Sequence, residues 1–252
     1  MSATPPVRQP LFYVDPQPLL STDHAAWRLR DGNIAFASDA LGIPVVLGEF
    51  ADAARCYAIL FAAGEEGGPV ILTGVDNNNQ FMADGYWDAT TYVPAYVRRH
   101  PFGLINMGTV TEGQPDLALA IDVASPRFAR EGEEGVALFE AGEPSQLTRD
   151  AMQFCTAYSG EAGITVEFCK ALRAKGLMIS RRLDGTLPDG KKVTVDGFEV
   201  IDVQKLTDLD AETIVEWHRK GWMAAAYYHL ASLSRVGDLM ERRAKSGPAK
   251  TA

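Results

Sequence analysis

Near residue 146 the sequence changes its hydrophobic period, and that change limits the architectures open to it. Upstream, short apolar runs alternate quickly with turn signals. "CYAILFAA" (56–63) and "PVILTGV" (69–75) are rich in β-branched and aromatic residues and read as buried strands on either side of the polar glycine turn "GEEGG". "IPVVLGEF" (43–50) reads as a shorter strand, with the acids and alanines of a helix start in "EFADAARC". "DLALAIDV" (116–123) is a further buried strand, and "DNNNQ" (76–80) a turn, because asparagine tolerates the left-handed conformation tight bends demand.

Downstream the spacing turns helical. "PSQLTRDAMQFCTAYSG" places Leu147, Met152, Cys155 and Tyr158 near one helical face, with Gly160 as its expected end. "GITVEFCKALRAKG" does the same with Val166, Cys169 and Leu172, closing on Gly176. "LMISRRLDGTLPDGKKVTVDGFEVID" reads as a hairpin turning at "LPDG". The stretch from Leu206 to Arg243 is a long amphipathic helix or a pair of helices broken at Gly221, since glycine costs roughly 1 kcal/mol in a helix interior. The expected fold is α+β. A sheet-rich N-terminal part at 10–145 packs against a helical C-terminal part at 146–243 that carries a β-hairpin, as two parts or one compact domain. Residues 1–10 are expected to be a disordered arm and "RRAKSGPAKTA" a basic tail.

A formal net charge of −9 argues against general affinity for nucleic acid or anionic lipid, which needs a basic surface. The three cysteines, Cys56, Cys155 and Cys169, form no CxxC and suit buried free thiols in a reducing compartment. The first twenty residues hold five prolines and no apolar core of a signal peptide, and no apolar run is long enough to span a bilayer. The expectation is a cytoplasmic protein.

Familiar catalytic signatures are absent. There is no GxSxG, no GxxxxGK[ST], no GxGxxG after a strand and no HExxH. His218 and His229, eleven apart, would lie about 16 Å apart along a helix axis, too far to share a metal. No metal site and no cofactor is expected, and no catalytic residue is assigned.

The densest chemistry lies in "TTYVPAYVRRHPFGL" (91–105). Pro94 fits a first helical turn and Pro101 forces an end near His100, so Tyr92–Arg99 is at most two turns. Trp87, Tyr92, Tyr96, Arg98, Arg99 and His100 are the candidate ligand-binding residues: an aromatic-lined groove with an arginine fork for an anion such as a carboxylate. The alternative is architectural, with tyrosine hydroxyls held by backbone and arginines paired with internal acids.

The stretches "GEFADAARCYAILF", "DGYWDATTYVPAYVRRHPF", "LFEAGEPSQLTRDAMQF" and "GFEVIDVQKLTDLDAETIVEWHRKGWMAAAYYHLASLSRVGDL" resemble the bacterial SapC family over roughly residues 10–240. The family takes its name from a surface-layer gene cluster, and many relatives stand beside TonB-dependent receptors and halogenase-like flavoproteins. The resemblance implies an accessory role near outer-surface or uptake systems and supplies no reaction. The leading expectation is a binding or accessory protein for a peptide or small anionic ligand, without nucleic-acid partners or a membrane span. The alternatives are an enzyme modifying a peptide or amino acid with a site assembled from scattered residues, or a structural subunit that pairs with a protein partner or its own copy through the helical stretch 213–240.

Overall fold

The chain is α+β in a computed structural model that describes residues 10–76, 78–111, 114–132, 134–187 and 190–246. It divides into two compact units, each built from two separate stretches: Met1–Asn33 with Arg98–Ser159, and Ile34–Val97 with Gly160–Ala252. The parts anticipated at 10–145 and 146–243 are contiguous, whereas these units interleave along the chain. Interleaving arises because strands far apart in sequence pair with each other, which no local pattern records.

In the first unit Pro16–Pro18, Gln114–Asp122 and Phe102–Thr111 form an antiparallel sheet in that order. Phe102 stands opposite Ile121, and Pro16 opposite Asp122. The core gathers Phe102, Leu119, Ile121, Phe128, Leu138 and Cys155, with Leu147, Ala151 and Met152 partly buried against it. Leu147 and Met152 thus take the inward face that their helical spacing implies.

The second unit is organised on a five-stranded antiparallel sheet. Its order is Met178–Thr186, Lys192–Ile201, Ile59–Ala62, Pro69–Leu72 and Gly42–Pro44. The runs read as buried strands at 56–63 and 69–75 are the third and fourth of these, and the anticipated hairpin supplies the first two. Leu187 N–H donates to the Lys191 carbonyl at 2.8 Å to close the hairpin. The turn residues Pro188 and Asp189 lie outside the described residues, as do the arm at 1–9 and the tail beyond Ser246. Phe61, Phe168, Trp217 and Trp222 form an aromatic core, with ring centroids 5.8–6.4 Å apart in tilted and edge-on pairs.

Two glycines end helices as read and a third does not. Gly176, at φ +64°, closes the helix Gln146–Ala174, with Gly176 N–H on the Arg173 carbonyl and Leu177 N–H on that of Leu172. Gly221, at φ +74°, separates helix Ala211–Arg219 from helix Trp222–Ser232. Gly160, by contrast, lies inside a single helix of 29 residues. A glycine there costs roughly 1 kcal/mol, less than the burial of Phe168, Cys169 and Leu172 that the continued helix secures. The last helix, Arg235–Lys245, reaches Arg242 and Arg243, as the helical reading of Leu206–Arg243 expects, so the basic tail expected from Arg242 begins inside a helix. Acids hold both arginines: Arg242 Nη1 is 2.8 Å from Asp88, and Arg243 meets Asp76, whose side chain is 6% exposed, at 2.8 Å.

Candidate functional site

The boundary between the two units falls between Val97 and Arg98, inside the segment that the sequence singles out. Its six residues therefore divide into two sets. Ala95–Arg98 is one helical turn, shorter than the two-turn limit, and the His100–Pro101 peptide is cis.

Trp87, Tyr92 and Tyr96 belong to the second unit. The organising group there is Glu49, a carboxylate that is only 6% exposed. Its Oε2 accepts from Val46 N–H at 2.9 Å, while Oε1 accepts from Ala95 N–H at 2.7 Å and from the Tyr92 hydroxyl at 2.9 Å. Trp87 Nε1–H donates to the hydroxyls of Tyr57 (3.0 Å) and Thr91 (3.1 Å), and the Tyr57 hydroxyl donates to the Tyr92 carbonyl. Burial holds the Tyr57 phenol far above its ordinary pKa, so it stays a donor at every working pH. Trp87 and Tyr96 are buried, Tyr92 half-buried. This set ties the Tyr92–Ala95 turn to the Leu47–Glu49 turn, and its polar groups are satisfied inside the unit.

Nearby, Asp88 accepts from the side chain and backbone of Thr90 and from Arg242, which together hold its pKa down near 2. In the "DNNNQ" turn the buried Asn79 donates to the Ala37 carbonyl and accepts from Phe81 N–H, so its amide braces the loop. Asn77 of that turn lies outside the described residues.

Arg98, Arg99 and His100 belong to the first unit. Arg98 is exposed, and its guanidinium sits 5.2 Å from the Phe154 ring centroid. Arg99 is half-buried, 4.5 Å from the Tyr158 centroid and 5.5 Å from that of Tyr13. At such distances a cation is attracted to the ring and held near it.

His100 is buried, edge-on to Tyr13, with Nε2 3.5 Å from Asp122 Oδ2. Burial lowers its pKa while Asp122 pulls the other way. Asp122 also accepts from the backbone N–H groups of Val14 (3.2 Å), Asp15 (2.8 Å) and Ala124 (3.3 Å), and so fastens the N-terminal stretch to the sheet. Cys155 lies in the core, where burial pushes its thiol up to about 11, and none of the three cysteines is in a disulfide. A thiol held so high is a poor nucleophile.

Among the described residues no three His, Cys, Asp or Glu side chains are placed to hold a metal ion, and no helix is long and apolar enough to cross a membrane. The family model for SapC matches residues 19–239. The chain belongs to the SapC family. It matches no curated protein and no solved structure.

Two residues of this SapC chain escaped the sequence reading, Glu49 and Asp122. Both carried a signal: an acid inside an apolar run, "VVLGEF" and "LAIDV", is seldom buried unless paired.

Proposed function

We propose that this SapC-family chain is a binding or accessory protein that takes a peptide or small anionic ligand at Arg98 and Arg99. The single observation that supports the reading is their seating on Phe154, Tyr158 and Tyr13. A guanidinium already held against a ring loses little side-chain freedom when it binds a carboxylate, the anion its planar fork matches best. Of the other candidates, Tyr92 is bonded to Glu49 and Trp87 to Tyr57 and Thr91 within the second unit, and this reading gives them and Tyr96 no ligand contact. Residence in the cytoplasm, beside outer-surface or uptake systems, belongs to the same proposal and fits the free thiols.

The test replaces Arg98 and Arg99 singly by Lys, which keeps the charge and removes the fork. Calorimetry then compares acetylated tripeptides bearing free and amidated C-termini. We expect near-wild-type denaturation midpoints and a loss of about 1.5–3 kcal/mol in binding the free carboxylate. Unchanged binding, or no preference for the free carboxylate in the wild type, overturns the reading.

A second reading has its own observation. Ile214, Val215, Tyr227 and Tyr228 on the helices Ala211–Arg219 and Trp222–Ser232 are exposed large apolar side chains. That surface suits a protein partner or a second copy of the chain. Sedimentation of the wild type against Tyr227→Ser/Tyr228→Ser, over a hundredfold concentration range, separates self-association from a monomer.

A further inference from the structure

In the second unit the turn Glu65–Gly68 and residues 165–173 of the long helix enclose a cavity of about 360 Å³, which none of the six candidate residues lines. Its shape is set by the backbone. Gly67 N–H donates to the Gly64 carbonyl at 3.0 Å and Ala62 N–H to that of Gly68 at 2.9 Å. The turn is so tight that a Cβ on Gly67 would stand 1.8 Å from the Ala62 carbonyl oxygen. From the helix, Arg173 donates to the Gly67 carbonyl at 2.6 Å and lies 3.3 Å from Glu199. Turn and helix are thereby pinned across the cavity.

The walls carry opposite charge. Glu65 and Glu66 stand on the turn, Lys170 and Arg173 on the helix, with Val166 and Cys169 between them. Arg173 is engaged as described. The side chains of Glu65, Glu66 and Lys170 form no hydrogen bond or ion pair with the described residues. An anion entering this space meets two carboxylates, and a cation meets Lys170, so either is opposed on one side. A molecule carrying both charges is favoured by both walls. The size is at the lower end of small-molecule sites.

We propose that this cavity binds a small zwitterion with an apolar body, an aliphatic amino acid. Its ammonium lies toward Glu65 and Glu66, its carboxylate toward Lys170, and its side chain against Val166 and the Cys169 sulfur. The site is independent of Arg98 and Arg99, so either proposal can fail without the other.

Calorimetric titration of the full chain with leucine, leucinamide and N-acetylleucine tests it. Leucine is expected to bind, and each blocked form to bind at least about tenfold more weakly, since each loses one of two charge-assisted contacts. Lys170→Gln and the double change Glu65→Gln/Glu66→Gln lie on exposed positions, and each should weaken leucine by about tenfold or more. Methanethiosulfonate labelling, read by peptide mass, locates the ligand: saturating leucine should slow modification of Cys169 and leave Cys56 unchanged. Absence of leucine binding, a blocked form that binds as well as leucine, or an unaltered rate at Cys169 overturns the proposal. If a variant fails to fold, the comparison of the three ligands on the wild type still decides it.

Discussion

Removing the Glu49 carboxylate should cost more stability than any other single change at the Tyr92–Ala95 turn. Its three donors, Val46 N–H, Ala95 N–H and the Tyr92 hydroxyl, have different alternatives once the acceptor is gone. Tyr92 is half-buried and its hydroxyl can turn to water, whereas Val46 and Ala95 are buried. A buried donor left unmade costs about 1–3 kcal/mol, so two of them set the scale for Glu49→Ala at about 4 kcal/mol. Glu49→Gln keeps the shape and one carbonyl. Its amide nitrogen must face either Val46 N–H or the pair from Ala95 and Tyr92, and the cheaper choice gives up Val46, for about 2 kcal/mol. Tyr92→Phe removes one bond to the carboxylate and should cost about 1 kcal/mol. Urea denaturation followed by far-UV circular dichroism gives the order, with slopes checked for a common transition. If Glu49→Gln unfolds within about 0.5 kcal/mol of wild type, or Tyr92→Phe costs more than Glu49→Ala, the network does not hold the turn as argued.

His229, fully buried with Nε2 accepting from Ile201 N–H at 3.1 Å, has its pKa pushed by burial from 6.5 down to about 4, against a smaller opposing pull from the Ile59 backbone. Stability is then complete above pH 6.5 and falls as pH drops from there to about 4, by roughly 3 kcal/mol; urea midpoints should show this fall in the wild type, and an equal fall in His229→Gln would refute the assignment. Gly67→Ala forces its new methyl onto the Ala62 carbonyl, while Gly68→Ala meets nothing within 4 Å. Thermal melts should therefore place the first well below wild type, by about 1–3 kcal/mol, and the second close to it. Ellman titration of the native protein should find Cys56, half-buried, reacting first, with Cys155 and Cys169 delayed by burial that raises both thiols to about 11; unfolding without reductant should expose three thiols, and a count of one would contradict free cysteines.

What the sequence made legible is what local physics decides. Gly176 and Gly221 announced helix ends because both need a positive φ, and the turn signal "LPDG" announced the hairpin. Gly160 misled, since its local cost is outweighed by burial farther along the same helix. The pairing of Lys192–Ile201 with Ile59–Ala62 left no trace in either stretch, and with it went the interleaved units. The candidate residues divide in the same way. Crowded aromatics and arginines marked 91–105, but the division of labour depends on Glu49, Asp122, Tyr13, Phe154 and Tyr158. Those partners lie tens of residues away, and their contacts are invisible until the chain has folded.

The pairing of Ala62 with Phe198 also has a cost in time. At 5–20 residues per second a ribosome needs roughly 7–28 s to extend the chain by the intervening stretch of about 140 residues. Throughout that interval the apolar strand Ile59–Ala62 has one edge without its native neighbour, a template for any other extended segment it meets. A chaperone that holds the nascent N-terminal third is therefore expected to raise the yield of folded chain. Overexpression at 37 °C should yield inclusion bodies that slower translation at low temperature relieves, while codon changes confined to residues after 201 leave yield unaffected.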